Sequence, residues 1–558
     1  MNNKINKYTA KFIPGNINQW KLYKKNDSLI WLAGHNVEDK YNYLIRNITS
    51  NKVINKANIK RIINNIDDHF GLVYITKSWT FAAVDCARTY PIFWKNTKGN
   101  FIFSPQAKNI INEKQDFVDK EQLIAFRMSG YTINDGTLWK NIKNLNAGNF
   151  IFVESETKYF IEEYFSYRPW KFSEKPYNEL KEQLKHQINR IIKNTITKAN
   201  GRTIVIPLSA GLDSRLIASG LKHYNYRNVK CFSYGLKNNF ESKSSRIIAN
   251  KLGYSWKFIE INQKTAKIFY ASDEYKKYMN NSHDGCATST IQGLYAVNKI
   301  LKDNYLHNDD IIINGNSGDF ISGGHVPKII IGNNKDITLL FEEVFEEHFA
   351  KHYGLWQSLL NKENKKIIKD QLFKQIEDNI EDTDINFMAH GIAEFLEYHN
   401  RQTKYVINSQ RIYDFYNLKW QLPLWDKSFI KFWIDIPLKY KMNQKLYKDT
   451  LRDLNMGGVW SEEYDTEAYV SPKWVRVLRI IFKAYFLFVG KHKWHNFEKK
   501  YLEYWTDNIC GQSILPYKKI INNKNISRHY VSWLTVLSED VMLNSNWQNI
   551  DRKNDYKI

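Results

Sequence analysis

Thr203-Ile-Val-Ile-Pro-Leu-Ser-Ala-Gly-Leu-Asp-Ser-Arg215 decides how this 558-residue chain is read. It opens with an apolar run, Thr203–Leu208, and leads into the amphipathic Arg215-Leu-Ile-Ala-Ser-Gly-Leu-Lys222. That order is buried strand, tight turn of small residues, helix. Such a turn leaves backbone N–H groups and the hydroxyls of Ser209 and Ser214 at a helix N-terminus, where anions bind. Asp213 sits inside this anion site. A carboxylate beside phosphates calls for a cation, and a bound Mg2+ lets both occupy one space. The Lys-Ser/Thr ending of the common P-loop is absent, so the cradle is of another kind.

Strands and helices alternate on both sides of this stretch. A helix over Tyr177–Ala199 precedes it. Val229-Lys-Cys-Phe-Ser-Tyr234 reads as a strand, Glu241–Leu252 as a helix, and Trp256–Ile261 and Asp310–Asn314 as further strands. Such alternation predicts an α/β fold, a doubly wound parallel sheet with helices on both faces and ligands at the carboxyl ends of its strands. The first ~165 residues differ. Gly71–Ile75 with Thr80–Asp85, Pro91–Trp94 with Asn100–Ser104, and Gly148–Val153 with Lys158–Ile161 read as paired strands of a β-sandwich, with one helix near Ala57–Asn65. The expected division is residues 1–170, 171–460 and a helical, aromatic-rich extension, 461–558.

Composition excludes several classes. Hydrophobic residues make up 43% and aromatics 15%, enough for a large core. The net charge is +23, but the lysines are dispersed among Asn and Ile rather than gathered in a basic tail. The case for nucleic acid is therefore weak. Cys86, Cys231, Cys286 and Cys510 form no C-x-x-C pair, which disfavours a zinc ribbon and fits a cytoplasmic chain with reduced thiols. No signal core or ~20-residue apolar span stands out. Trp474–Gly490 comes nearest, interrupted by Arg476, Arg479 and Lys483. It reads as a buried amphipathic helix, with peripheral membrane contact as the lesser alternative.

A second loop resembles the first in logic. Gly315-Asn-Ser-Gly-Asp-Phe-Ile-Ser-Gly-Gly324 again surrounds one aspartate, Asp319, with small residues after an apolar strand. On neighbouring strands the two loops would face each other, and Asp213 and Asp319 would hold Mg2+ against a triphosphate.

Ser209-Ala-Gly-Leu-Asp-Ser214 resembles the pyrophosphate loop of ATP pyrophosphatases, Ser-Gly-Gly-x-Asp-Ser. Asn314–Gly324, Phe232-Ser-Tyr-Gly235, Pro423-Leu-Trp-Asp426 and Lys448-Asp-Thr-Leu-Arg452 are similar, in order, to segments of the asparagine synthetase family. Val84-Asp-Cys-Ala-Arg88, Pro91–Trp94 and Leu145–Gly148 are similar to its glutaminase domain, an Ntn-type sandwich. The resemblance implies an ATP-dependent ligase. A carboxylate is adenylated with release of pyrophosphate, and a nitrogen nucleophile then yields the amide and AMP. It further implies that Leu208, Ser209, Ala210, Gly211, Asp213, Ser214, Tyr234, Gly235 and Gly315 bind ATP or pyrophosphate. Asp213 and Asp319 would bind Mg2+, and Lys448 and Asn316 would serve catalysis.

The chain also departs from that family. Asn2 stands where the family has its nucleophilic cysteine, so glutamine hydrolysis is not expected. Asn316 and Phe320 replace two family glutamates, which implies another nucleophile or proton route, and Ala210 replaces a glycine. The loss of the cysteine is shared by β-lactam synthetases, lasso-peptide cyclases and relatives from surface-polysaccharide clusters. The expected substrates are a small-molecule, glycan or peptide carboxylate and an amine or ammonia. A tRNA-modifying ATP pyrophosphatase and a degenerate binding partner are the competing classes. His283, Asp284 and Glu394 are candidates for the acceptor region, better read as ordinary structural residues.

Overall fold

The computed structural model describes residues 8–544 except 16–18, 50–53, 113, 171–172, 238, 327–332, 335, 381–386, 462–472, 507–515, 524 and 528. Asn2 and Cys510 lie outside the described residues.

Ile204–Pro207 is the central strand of a five-stranded parallel sheet. The strand order is Ser255–Glu260, Val229–Gly235, Ile204–Pro207, Ile311–Ile313, Lys419–Gln421. Each neighbouring pair runs parallel. After Ile204–Pro207 the chain moves outward through two strands on one side. It then returns to lay Ile311–Ile313 against the other side of the same strand, with Ile204 opposite Ile311. Connections thus leave the pair in opposite directions, and a crevice opens at the carboxyl ends of Ile204–Pro207 and Ile311–Ile313. The aliphatic side chains of both strands are buried, which holds the crevice floor rigid.

Helix Tyr177–Ala199 covers the sheet through Leu184, Ile188, Ile191 and Ile192, residues at helical spacing. Gly220, on helix Leu212–His223, lets that helix close on it, since a Cβ there would lie 2.7 Å from Ile192.

The N-terminal region is a sandwich of two sheets. A six-stranded antiparallel sheet runs Tyr159–Glu163, Asn149–Val153, Thr80–Val84, Phe70–Ile75, Ser28–Gly34, Lys21–Lys25. A four-stranded sheet runs Thr9–Phe12, Asn100–Ser104, Phe93–Thr97, Lys143–Asn144. Aromatic contacts join them: Phe12 lies 5.0 Å from Trp31, and Phe101 5.3 Å from Tyr159. The sandwich docks on the parallel-sheet region. Tyr90 stacks on Trp420 at 5.4 Å, and Arg411 donates to the Thr89 carbonyl at 2.7 Å.

Both architectures agree with the sequence reading, and five strands are added to it, among them the two-residue Lys143–Asn144 of the sandwich. Thr9–Phe12, Lys21–Lys25 and Ser28–Gly34 join the sandwich, and Lys419–Gln421 completes the parallel sheet. The last has three residues inside an aromatic run, too short to show a period.

One expectation is overturned. Helix Lys473–Val489 is not buried. It covers Val475, but Trp474, Ile481, Tyr485, Leu487 and Phe488 stand in solvent, Phe488 at 94% exposure. The amphipathic period is real, but its narrower face is the one that is covered. Cys86, Cys231 and Cys286 are buried free thiols. No helix among the described residues is long and apolar enough to cross a membrane.

Candidate functional site

A cavity of about 670 Å3 fills the crevice, within the roughly 300–1,000 Å3 usual for small-molecule sites. Ser209, Gly211, Asp213 and Ser214 line one side, Gly315, Asn316 and Asp319 the facing side, and Tyr234 the flank. Both glycine-bearing loops thus meet in one space, as the sequence implies.

The first loop is organised by its own hydroxyls. Ser214 Oγ accepts from the Ser209 N–H at 3.1 Å and lies 3.0 Å from Ser209 Oγ. Ser209 Oγ in turn accepts from the Gly211 N–H at 3.1 Å. Gly211 caps helix Leu212–His223 without a side-chain cap bond, so the N–H groups of the first turn remain for an anion. Ala210 adopts no positive φ, so its Cβ does not prevent the loop from forming.

The second loop packs against the first through absent side chains. A Cβ on Gly315 would lie 2.6 Å from Ser214 N, and one on Gly318 2.5 Å from Asp213 Oδ1. Neither site admits a larger residue without the loops parting. Ser317 holds a left-handed φ of 68°, uncommon for a residue with a Cβ, and its hydroxyl donates to Gln402 Oε1 at 2.8 Å.

The two aspartates are linked directly. Asp213 Oδ2 accepts from the Asp319 N–H at 2.9 Å, and Asp213 Oδ1 from the Tyr447 hydroxyl at 3.1 Å. Burial, followed by the charge of Asp319, pushes the Asp213 carboxyl up to about 8. Asp213 is half-buried and faces the cavity. Asp319 moves the other way: burial opposes its ionisation, but His325 outweighs burial and lowers it.

His325 went unnoticed in the sequence. Its Nε2 lies 3.1 Å from Asp319 Oδ2 and its Nδ1 2.5 Å from Glu397 Oε1. Burial disfavours the imidazolium, yet the two carboxylates raise it to about 9, so His325 is charged at neutral pH. Glu397 is 5% exposed and also meets Lys351, His352 and Arg401 at 3.3, 3.4 and 3.1 Å. Burial opposes its charge, but His325 and His352 hold it well below the usual carboxylate range. His325, Arg401, Gln402, Ser409 and Gln444 all line the cavity. The only sequence signal for His325 was its place directly after Gly323-Gly324.

The remaining sequence candidates divide. Asn316 lines the cavity and donates to Ser409 Oγ at 2.8 Å. Phe320 is buried, tilted over Tyr167 at 6.1 Å, and does not line the cavity. Leu208 and Ala210 are buried behind the loop, and Gly235 ends its strand outside the cavity lining. Lys448 is half-buried and does not line the cavity either. The preceding Tyr447 is the residue of helix Lys445–Leu454 that reaches Asp213. At roughly 100° per residue its neighbour leaves on another side of the helix. His283 contacts Ser289 Oγ at 2.9 Å, Asp284 accepts from the Cys286 N–H at 2.9 Å, and Glu394 pairs with Lys441 at 2.6 Å. None of these three lines the cavity. Among the described residues no group of three His, Cys, Asp or Glu side chains could hold a metal unaided.

A smaller gap of about 30 Å3, lined by His35, Asp68, His69, Lys198 and Asp426, lies between sandwich and parallel sheet. It has room for a water rather than a substrate.

Residues 199–457 match the family model described as asparagine synthase, which supports an amide-forming ligase of the ATP-pyrophosphatase type. No curated protein matches the sequence. Among solved structures the chain is similar to the NH3-dependent NAD synthetase from Campylobacter jejuni in complex with the nitrate ion. The identity is 14% and the TM-score 0.19, over 37% of this chain and 98% of that one. It is also similar to the glutamine PRPP amidotransferase from B. subtilis complexed with ADP and GMP, at 9% identity and TM-score 0.18, over 43% of this chain and 72% of that one. A third, described as the allosteric regulatory enzyme of purine biosynthesis, has 10% identity and TM-score 0.18, over 43% and 62%.

Proposed function

We propose that this protein is an AMP-forming carbon–nitrogen ligase. A substrate carboxylate oxygen attacks the α-phosphorus of ATP, the α–β phosphate bond breaks, and pyrophosphate leaves. An amine or ammonia then attacks the acyl carbon, and AMP departs as the amide forms. The observation that carries this reading is the joint geometry of Ser209, Ser214 and the Asp213–Asp319 pair around one cavity.

The chain's own groups have definable roles. Ser209, Ser214 and the first-turn N–H groups of helix Leu212–His223 would bind the pyrophosphate part, where the helix dipole favours negative charge. Tyr234 flanks the same space on the adenine side implied by the family resemblance. Asp213 and Asp319 suit a Mg2+ that keeps several phosphate and water ligands, since such sites need only one or two carboxylates. The raised Asp213 carboxyl is what an uncompensated carboxylate pair shows, and a dication would offset it. Mg2+ bound there would neutralise charge on the leaving pyrophosphate.

His325 is an imidazolium between two carboxylates, so it supplies fixed positive charge and does not accept the amine proton. Asn316, an amide where the family carries a carboxylate, orients a nucleophile by hydrogen bonding rather than by proton removal. Lys448, which the family resemblance implies would offset phosphoryl charge, would have to extend its flexible stem around helix Lys445–Leu454 to reach the cavity.

Glutamine is not the proposed nitrogen source. The sandwich's described cysteine, Cys86, is 5% exposed and burial drives its thiol well above the usual range, so it supplies no thiolate nucleophile. ATP–pyrophosphate exchange driven by a panel of amino-acid, sugar and peptide carboxylates tests the ligase reading. Exchange only with tRNA present would indicate modification of tRNA instead. Glutamate release from glutamine by the pure protein would refute the loss of glutaminase activity.

A further inference from the structure

Helix Lys473–Val489 carries a feature that the ligase reading does not use. One side has its own small core. Val475 and Phe486 belong to a cluster with Trp494, Phe497 and Leu502, and Phe486 lies 5.1 Å from Phe497. Arg479 Nε donates to Glu498 Oε1 at 2.6 Å across the same seam. The helix therefore folds back on helix Lys491–Phe497 as a hairpin.

The other side is exposed, although Trp474 touches the Trp505 ring edge-on at 5.7 Å. Trp474, Val477, Leu478, Ile481, Tyr485 and Phe488 fall within an arc of about 100° at helical spacing, and all six are exposed, from 39% at Leu478 to 94% at Phe488. Leu487 adds another large apolar side chain at 78% exposure. A contiguous apolar stripe of this size on a folded domain marks a surface that something covers.

The charge pattern says what covers it. Arg476 and Lys483 stand exposed on the far side of the helix, next to Leu487 and roughly 150–170° from the stripe's centre, and Lys491 and Lys493 follow on the next helix, also exposed. Trp474 through Phe497 contains no Asp or Glu. Its charged residues are therefore all basic, and the two on the first helix that stand exposed form the polar side opposite an apolar one, the pattern of a helix lying in a membrane interface. An anionic surface would meet them with opposite charge. Tyr485 and Trp474 bring amphipathic rings suited to the boundary between headgroups and acyl chains. The helix is too short and too charged to span a bilayer, so it would lie in the interface plane.

We propose that the hairpin of helices Lys473–Val489 and Lys491–Phe497 docks the enzyme on an anionic lipid surface, apolar stripe inward and the basic side of the helix toward the headgroups and water. The full chain is tested by sedimentation with vesicles of phosphatidylcholine alone or mixed with phosphatidylglycerol. The expected result is at least ~10-fold more protein bound to the anionic vesicles, weakening with added salt. The double variants L487E/F488E and R476E/K483E should each lose that binding ~10-fold or more, with thermal melting unchanged, because the substituted side chains are exposed. Equal sedimentation with both vesicle types, or none with either, overturns the proposal. So does a dimer in light scattering that L487E/F488E converts to monomer, since a second copy would then cover the stripe. Lipid binding is read without ATP, so its failure leaves the ligase reading standing.

Discussion

The Asp319 backbone N–H donates to Asp213 Oδ2 at 2.9 Å, tying together two loops 106 residues apart in sequence. The contact brings two acidic side chains into one cavity and fixes the spacing of whatever binds between them. A peptide N–H is the donor, so the link survives substitution of the Asp319 side chain but not displacement of its loop.

Gly318 is the first test of that link. A Cβ would lie 2.5 Å from Asp213 Oδ1 and as close to Leu424, so the loop must shift. Gly318→Ala is expected to lower exchange ~100-fold or more while the melting temperature falls by only a few degrees. Exchange within twofold of the parent would show that the loop contact is dispensable.

Asp213 gives a pH signature. Its folded-state value is raised above the unfolded value of 3.8, so the folded protein binds the extra proton between roughly pH 4 and 8. Stability of the nucleotide-free protein should therefore fall as pH rises through that window. Asp213→Asn removes the titration and should stabilise the nucleotide-free protein at pH 8 by on the order of 1–2 kcal/mol while abolishing exchange. Chemical denaturation at pH 5 and pH 8 measures both arms.

His325 titrates with the opposite sign. Asp319 and Glu397 raise it to about 9, so its stabilising contribution is complete below its unfolded value of 6.5 and is lost as pH rises through 9. His325→Gln should flatten that alkaline loss. It should also lower exchange ~10-fold or more at pH 7.5, through lost positive charge beside Asp319. Unchanged alkaline stability in the variant would mean that the imidazolium is not held by these carboxylates.

Glu397 gathers His325, Lys351, His352 and Arg401 around one buried carboxylate. Glu397→Ala leaves those cations without their shared partner. The expected cost is about 3–5 kcal/mol in urea denaturation. A loss below 1 kcal/mol would show the cluster to be solvent-screened.

The loops were legible because their chemistry is local. Ser209, Asp213, Ser214 and Asp319 each announce themselves by small neighbours and a preceding apolar strand. The sheet around them was legible by alternation, apart from Lys419–Gln421, whose three residues cannot display a period. His325, Glu397 and Tyr447 stayed hidden because their roles arise from packing between segments 72 and 234 residues apart. Helix Lys473–Val489 misled in a different way. Hydrophobic periodicity says which residues avoid water, but not whether protein or something else covers them.

The central claim is that ATP is cleaved between its α- and β-phosphates at the expense of a carboxylate. Product analysis of ATP labelled at the α- and γ-phosphates tests it most directly, with the carboxylate and amine panels present. The account predicts AMP and pyrophosphate, dependent on a carboxylate and absent in Asp213→Ala and Asp319→Ala. ADP and inorganic phosphate as the products, or AMP formation that persists in both variants, would contradict it.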